Sequence, residues 1–405
     1  MEKYSSYKDS GVKWLGEIPS HWEMLHLRNF LTIFSEKGYG DYQLLSVTRE
    51  KGVILRDKDN KEENHNFVPD DLNGYKHVHV GDFVINKMKS WQGSYGVSDY
   101  EGIVSPAYFT CRLKGVMPQF FSRAIRSKAY IGFFMQYSKG IRVDQWDLDP
   151  NSMKDIPFVL PPRAEQDAIV SYLDTVTSKI DAAIAQQQKM IELLNERKQI
   201  IINNAVTKGL DPNVKMKDSG VEWIGEIPEG WEVRSLKTMM SIQRGHDLTA
   251  EQFNKGDFPV YGSGGLMGFH DAKTTKAPSI VIGRSGSVGK LQYVEEDFWA
   301  HNTTIYLTDN KGNDTKYLYY LLKSIDLSAL ATQTAVPTLD RKNILSYKVV
   351  CCLDYEEQHL ITRYLEFSLS KIDSLITSIN KKISLLQERK QIIINEVVTG
   401  KVKVE

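Results

Sequence analysis

The sequence predicts an α/β (α+β) fold: two mixed α/β globular domains separated by two long antiparallel coiled-coil helices, with a pseudo-twofold internal repeat. Three observations predict it. Two different segments each occur twice along the chain. One of them carries apolar residues at coiled-coil spacing over about 40 positions. The stretches between the repeats alternate strand-like runs with polar loops and show little mutual similarity.

The repeats fix the architecture and come first. KDSGVKWLGEIPSHWE (Lys8 to Glu23) recurs as KDSGVEWIGEIPEGWE (Lys217 to Glu232), identical at twelve of sixteen positions with an offset of 209. ERKQIIIN (Glu196 to Asn203) recurs unchanged at Glu388 to Asn395, with an offset of 192. The second match extends upstream, aligning Glu165-Gln166 with Glu357-Gln358 and Lys179-Ile180-Asp181 with Lys371-Ile372-Asp373. The offsets differ by 17, so a common frame carries two inserts of unequal length, about 24–155 and 233–352. Trp14, Trp22, Trp223 and Trp231 belong to the frame and read as packing residues. NAVTKGLDPNVKM joins the two copies, and the chain starts and stops within what would be a second such linker. The two ends are therefore expected to lie close together.

The helices follow. Stepping by the coiled-coil repeat gives Ile169, Leu173, Val176, Ile180, Ala183, Gln187, Met190, Leu194, Arg197 and Ile201 in the first copy. It gives Ile361, Leu365, Ser368, Ile372, Leu375, Ile379, Lys382, Leu386, Arg389 and Ile393 in the second. Pro161-Pro162 precedes the first helix, and Asp354 with Glu357 offers a capping box to the second. Gly209 and Pro212 end the first helix and Gly400 the second. At 1.5 Å per residue each spans about 60 Å. A helix of this length needs a partner for its stripe, and the other copy, running antiparallel, is the natural one. The expected domains are 1–155 (with segment 8–23), helix 156–210, 211–352 (with segment 217–232) and helix 353–405.

Totals narrow the function classes. At 405 residues two to four domains are expected. No run approaches the roughly 18 apolar residues of a membrane span, and MEKYSSYKDSG lacks a signal-peptide core, so a cytoplasmic location is expected. Cys111, Cys351 and Cys352 form neither a disulfide framework nor a zinc motif and are expected to be reduced and buried. The 51 basic and 51 acidic residues cancel, which argues against a purely electrostatic DNA binder. The charge is uneven, however: residues 24–150 hold 17 Lys/Arg against 15 Asp/Glu, and residues 233–350 hold 14 against 11.

No catalytic constellation assembles. GRSGSVGK (Gly283 to Lys290) has five residues between its outer glycines, and Leu291 stands where a phosphate-binding loop needs Ser/Thr, so a Gly/Ser turn between strands is the better reading. His77 and His79 share a strand face, lack a nearby Cys/His to complete a metal set, and read as an exposed face. D-x-K triplets at Asp59–Lys61 and Asp340–Lys342 lack a nuclease context, and no adenine-methyltransferase NPPY loop is present. No catalytic residue, cofactor or metal is expected.

The inserts instead offer polar clusters suited to DNA. The first contains Lys87, Lys89, Ser90, Trp91, Gln92, Ser94 and Tyr95, and a second group Lys139, Arg142, Gln145 and Trp146. The second insert offers Tyr261, Ser263, Arg284, Ser285, Ser287, Lys290, His301, Asn302, Gln333 and Arg341. Lys and Arg can meet phosphate or guanine, and Gln and Asn can pair with adenine in two bonds.

Taken in order, the paired GEIPxxW segments, GDFV…GIVSPAY, IVIGRSGSVGK…AHNTT, IPFVLPPRAEQDAIVSYLD with its degenerate partner VVCCLDYEEQHLITRYLE, and the twin ERKQIII helices resemble the specificity subunit of Type I restriction–modification enzymes. The resemblance spans essentially the whole chain, though CLDYEEQ departs from the usual Pro-Pro-Glu-Gln start of the second helix. It implies a non-catalytic protein whose two target-recognition domains each read one half of a bipartite asymmetric double-stranded DNA site. It also implies helices that set the spacer and dock two modification subunits, which methylate adenine, with two ATP-dependent restriction subunits completing the complex. A specificity subunit of a related restriction system, a stand-alone nuclease and a coiled-coil adaptor without DNA reading are the alternatives.

Overall fold

The computed structural model describes residues 2–57, 68–139, 146–222, 224–253 and 256–404. Its contacts divide the chain into two units, Met1–Gln186 with Lys381–Glu405, and Gln187–Asn380. Among the described residues no helix is long and apolar enough to cross a membrane.

Both units follow one plan. In the first, the hairpin Tyr7–Asp9/Glu17–Pro19 leads to strand Glu23–His26, which pairs antiparallel with Pro157–Leu160. Between these two strands lies an antiparallel sheet in the order Leu31–Phe34, Tyr108–Leu113, Phe83–Asn86, Tyr95–Val97. In the second unit, the hairpin Met216–Asp218/Glu226–Pro228 leads to Glu232–Ser235, paired with Lys348–Cys351. The sheet it brackets runs Ser241–Arg244, Thr304–Asp309, Ser279–Gly283, Leu291–Val294, again antiparallel. The inserts, unlike in sequence, thus share a sheet topology.

Strand alternation explains the layers. Side chains of a strand point alternately to opposite faces. Phe83 and Ile85 enter the main core of the first unit, while Val84 joins a smaller cluster with Leu45, Val47, Val53, Val78 and Val104. Likewise Ile280 and Ile282 enter the second main core, while Val281 packs with Val294, Phe298 and Tyr306. Each sheet therefore separates a core against the long helices from a smaller cluster on its other face.

The long helices run Arg163–Lys208 and Tyr355–Val398, 46 and 44 residues. They run antiparallel. In the first unit Ile169, Leu173 and Ile180 share a core with Ile393, Val397 and Val398. In the second, Ile202, Ala205 and Val206 share one with Ile361, Leu365 and Leu369. The least exposed stripe passes through 169, 173, 177, 180, 184, 187, 191, 194, 198, 202 and 205, and through the equivalent positions of the other helix. That is one contact per 3.6 residues, the period of a straight helix, and it drifts from a strict 3.5 step. Met190, Arg197, Leu375, Lys382 and Arg389, expected on the stripe, are consequently exposed, and Ile191, Lys198, Ile376, Ile383 and Lys390 take their places.

Helix starts explain the repeated Glu-Gln. Trp22 and Trp231 are buried and donate from Nε1 to Glu165 (2.9 Å) and Glu357 (3.2 Å), respectively. Gln166 accepts from Met117 N and donates to Pro161 O, both at 2.9 Å. Gln358 accepts from Asp314 N and donates to Cys352 O, both at 2.8 Å. The expected capping box forms only by half. Asp354 Oδ1 accepts from Glu357 N at 2.9 Å, but the Glu357 carboxylate is turned to Trp231 and Cys352. Trp14 departs from full packing: it lays an edge on Phe133 at 4.3 Å yet stays 45% exposed. Trp223 lies outside the described residues.

Gly209 and Gly400 follow the last helical turns at φ 74° and 72°, a left-handed conformation that suits glycine at a helix end. Glu2 and Lys403 form an antiparallel bridge, Lys403 N donating to Glu2 O at 2.9 Å, so residues near the two ends do meet. The three cysteines are free and buried, and burial pushes Cys111 to about 12 and Cys351 to about 11.

Candidate nucleic-acid interface

In the second unit four loops meet. The strand pair Phe258–Gly262/Gly265–His270 turns at Ser263-Gly264. Strands Ser279–Gly283 and Leu291–Val294 turn through Arg284–Lys290, the Gly/Ser turn expected from sequence. Residues 301–303 precede strand Thr304–Asp309, and residues 332–340 lead into helix Arg341–Ser346.

Hydrogen bonds join these loops. His301 N donates to Tyr261 O at 3.0 Å and Arg284 N to Thr303 O at 2.8 Å. Leu339 N donates to Arg284 O at 2.9 Å, and Ser285 bridges Thr338. Ser263 N donates to Thr303 Oγ1 at 3.3 Å, Ser287 N to Ser263 Oγ at 3.5 Å, and Lys290 Nζ to Gly264 O at 2.6 Å. Added bulk would collide here: a Cβ on Gly283 would lie 1.9 Å from Ser287 O. The ten residues singled out in this insert thus fall on one connected surface.

Within it their availability differs. Ser287, Lys290, Gln333 and Arg341 are exposed. Tyr261, Ser263, Arg284, Ser285, His301 and Asn302 are half-buried. Asn302 is held by Asp247, and the Tyr261 hydroxyl donates to Glu296 at 3.4 Å. Burial, opposed by Asp247, holds His301 below the usual histidine range, so at neutral pH it offers an uncharged ring.

In the first unit the two sequence clusters also converge. Lys87 Nζ pairs with Asp147 Oδ2 at 2.9 Å, and Leu148 N donates to Lys87 O at 3.0 Å. Trp91 and Trp146 rings meet at 5.1 Å. Lys139 lies in the short strand Ser138–Lys139, paired with Asp147–Leu148. Lys89 is exposed, and Lys87, Trp91 and Gln92 are half-buried.

Three of the residues singled out have no surface to offer. Ser90 is buried with Oγ donating to Lys87 O at 3.2 Å, Ser94 is buried in the same turn, and Tyr95 is stacked on Phe134 at 4.0 Å. They shape the loop from below, since the turn directs them into the core. Arg142 and Gln145 lie outside the described residues, as do Asp59 and Lys61. His77 corrects the exposed-face reading: it is 3% exposed, because Tyr39 stacks on its ring and Tyr42 packs against it.

Sequence polarity also missed exposed apolar side chains beside these loops: Met88, Leu266, Met267 and Val336. The available signal was an apolar residue inside a Gly/Ser-rich turn, where no core could claim it.

The Type I restriction modification DNA specificity domain family matches residues 228–386. The chain is 25% identical over 440 aligned positions to a putative type I restriction enzyme MjaX specificity subunit of Methanocaldococcus jannaschii, covering 98% of each. It is 26% identical over 302 positions to the type I restriction enzyme MjaVIII specificity subunit of the same organism, covering 67% of this chain and 68% of that one. Along nearly its whole length the chain is thus similar to Type I restriction–modification specificity subunits. Solved structures share its fold. A chain from a type I R-M system, solved in a study of complex assembly and conformational transition, matches with a TM-score of 0.71 at 14% identity, covering 95% of this chain and 99% of that chain. The HsdS subunit from Thermoanaerobacter tengcongensis matches at 0.50 and 14%, covering 95% and 98%.

Proposed function

We propose that this chain is a Type I specificity subunit that reads a bipartite, asymmetric double-stranded DNA site, one half with each insert. The observation that carries this reading is one sheet topology used twice beneath unlike loops. A shared scaffold holding different polar residues is what two different half-sites require. In the first unit the loop packs inward through Tyr95 on the main core, and in the second Tyr261 packs on the outer cluster while Val288 and Leu339 pack on the main core.

On this reading the domains are 1–155 and 211–352, and the helices act as the ruler and as the docking surface for two methyltransferase subunits. Two restriction subunits complete the assembly. The subunit performs no chemistry itself. A methyltransferase must take its adenine out of the stack, so the reader's task is to place it. The contact set is Lys87, Lys89, Trp91, Gln92, Lys139, Arg142 and Gln145 in the first insert, with the ten residues of the connected surface in the second.

Exchanging residues 233–352 for the equivalent block of another specificity subunit tests this. Methylation sequencing should then show one half-site changed and the other retained. A change in both halves overturns independent reading. Adding residues within 207–216 should lengthen the spacer while both half-site sequences stay the same, and an unchanged spacer overturns the ruler.

A further inference from the structure

In the first unit, outside the loops above, Glu36, His77 and His79 come together. Glu36 follows strand Leu31–Phe34, and His77 lies on strand Lys76–Val78 with His79 just beyond it. Glu36 O accepts from His77 N at 2.8 Å, which fixes the two segments relative to each other. Tyr39 stacks on the His77 ring at 4.1 Å and covers it. Glu36 Oε2 lies 3.7 Å from His77 Nδ1 and 3.6 Å from His79 Nε2. The ligand atoms of all three residues lie within 4.8 Å of one another.

We propose that these three side chains bind a divalent transition-metal ion of the zinc class. A tetrahedral ion with bonds of about 2.0–2.2 Å sets its ligand atoms about 3.4 Å apart, a few tenths of an ångström inside the two separations to Glu36. The far nitrogen of each ring faces an outer carboxylate. His77 Nε2 lies 3.2 Å from Glu101 Oε1, and His79 Nδ1 lies 3.1 Å from Asp82 Oδ2. Such a partner holds the proton on the far nitrogen and leaves the near lone pair for the metal.

Two further observations point to a ligand. His77 Nδ1, the nitrogen that would face the ion, is buried without a hydrogen-bond partner, and a buried polar group without a partner is costly. Among the described residues the carboxylates of Glu36, Asp82 and Glu101 pair with the two rings and the guanidinium of Arg112 stands beside them, so the cluster has acidic groups to share with a divalent ion. Arg112 Nη2 stands 2.9 Å from His79 Nδ1. In the metal-bound arrangement that nitrogen carries a proton, and Arg112 turns to Asp82 Oδ1 and Glu36 Oε1, already 3.4 and 3.6 Å from it. Solvent supplies the fourth position, since Glu36 and His79 reach the surface. The ion would tie strand Lys76–Val78 to the edge of the four-stranded sheet.

The test is titration of the chelator-treated full chain with Zn²⁺ by calorimetry and with Co²⁺ by visible absorption. One ion per chain is expected, with tetrahedral Co²⁺ bands and a rise in Tm on adding Zn²⁺. Glu36→Gln and His79→Gln should each weaken binding about 10-fold or more and lose the bands, with circular dichroism unchanged. Both alter half-exposed residues and avoid the buried His77. Binding below one equivalent, or affinity unchanged in both variants, overturns the proposal.

Discussion

The indole of Trp22 donates to Glu165 at 2.9 Å, joining the GEIPxxW segment to the first turn of a helix that begins only after the whole insert has intervened. Trp231 and Glu357 repeat the contact at 3.2 Å. Each pair closes a loop whose contents are the variable insert. The two repeated segments therefore recur at offsets of 209 and 192, because the contact is kept whatever the insert's length.

That contact has a pH signature. Burial works to raise the Glu165 carboxyl, but hydrogen bonds from Trp22, His21 and Tyr4 outweigh it and hold it below its ordinary 4.5. A carboxylate depressed in the folded state contributes stability that is complete above the unfolded pKa and is lost as pH falls through the folded one. Glu165→Gln should cost about 1–2 kcal/mol at neutral pH, by weakening charge-assisted bonds. It should also flatten the acid limb of stability. Urea unfolding from neutral to acid pH checks both, and an acid limb identical to wild type would refute the assignment.

Gln358 should be more sensitive than its charged neighbour. It is fully buried, accepts from Asp314 N and donates to Cys352 O and Asn313 Oδ1, all at 2.8 Å. Gln358→Ala leaves a buried N–H and C=O unpaired and a void beside them, an expected cost of about 2–4 kcal/mol. Gln358→Glu keeps the shape but cannot donate, and should also destabilise. Thermal unfolding that places Gln358→Ala within about 0.5 kcal/mol of wild type would contradict this account.

The helix pair carries two related ion pairs. Lys390 Nζ lies 2.6 Å from Asp181 in the first unit, and Lys198 Nζ lies 2.6 Å from Asp373 in the second. Adding 192 to Asp181 and Lys198 gives Asp373 and Lys390, so one contact of an antiparallel pair is written twice. The carboxylates are more than half exposed, which limits each pair to about 0–1 kcal/mol. Asp181→Lys and Lys390→Asp should each destabilise modestly, and the double exchange should recover most of the loss. A double-mutant cycle with no coupling would remove the pair from the account of helix register.

The architecture was legible because repeats and apolar spacing are sequence properties. Register was less so. Stepping by 3.5 selected Met190 and Arg197, and the straight helices moved the contact to Ile191 and Lys198. In the recognition loops residue type alone misjudged depth: Ser90 and Tyr95 look like surface polar groups, but the turn after Phe83–Asn86 sends them inward. Glu36 escaped notice because it reaches His77 from the segment that follows Leu31–Phe34, and a contact between segments so far apart in sequence leaves no local pattern.

On the proposed reading, Arg341 and Gln333 would make two kinds of DNA contact on one surface. Both are exposed on the connected loops of the second unit, Arg341 at the start of a short helix capped by Asp340. A guanidinium meeting phosphate contributes to every sequence alike, and its loss should weaken binding evenly and lower the salt slope by about 1. A carboxamide meeting a base edge contributes to one position, and its loss should relax discrimination there by about 1–3 kcal/mol. With the subunit assembled with its methyltransferase, Arg341→Ala should thus reduce DNA affinity without changing the methylated sequence. Gln333→Ala should instead broaden one base of one half-site. DNA binding across a salt series and methylation sequencing distinguish them. If Gln333→Ala altered bases in both half-sites, this loop could not belong to a reader confined to one.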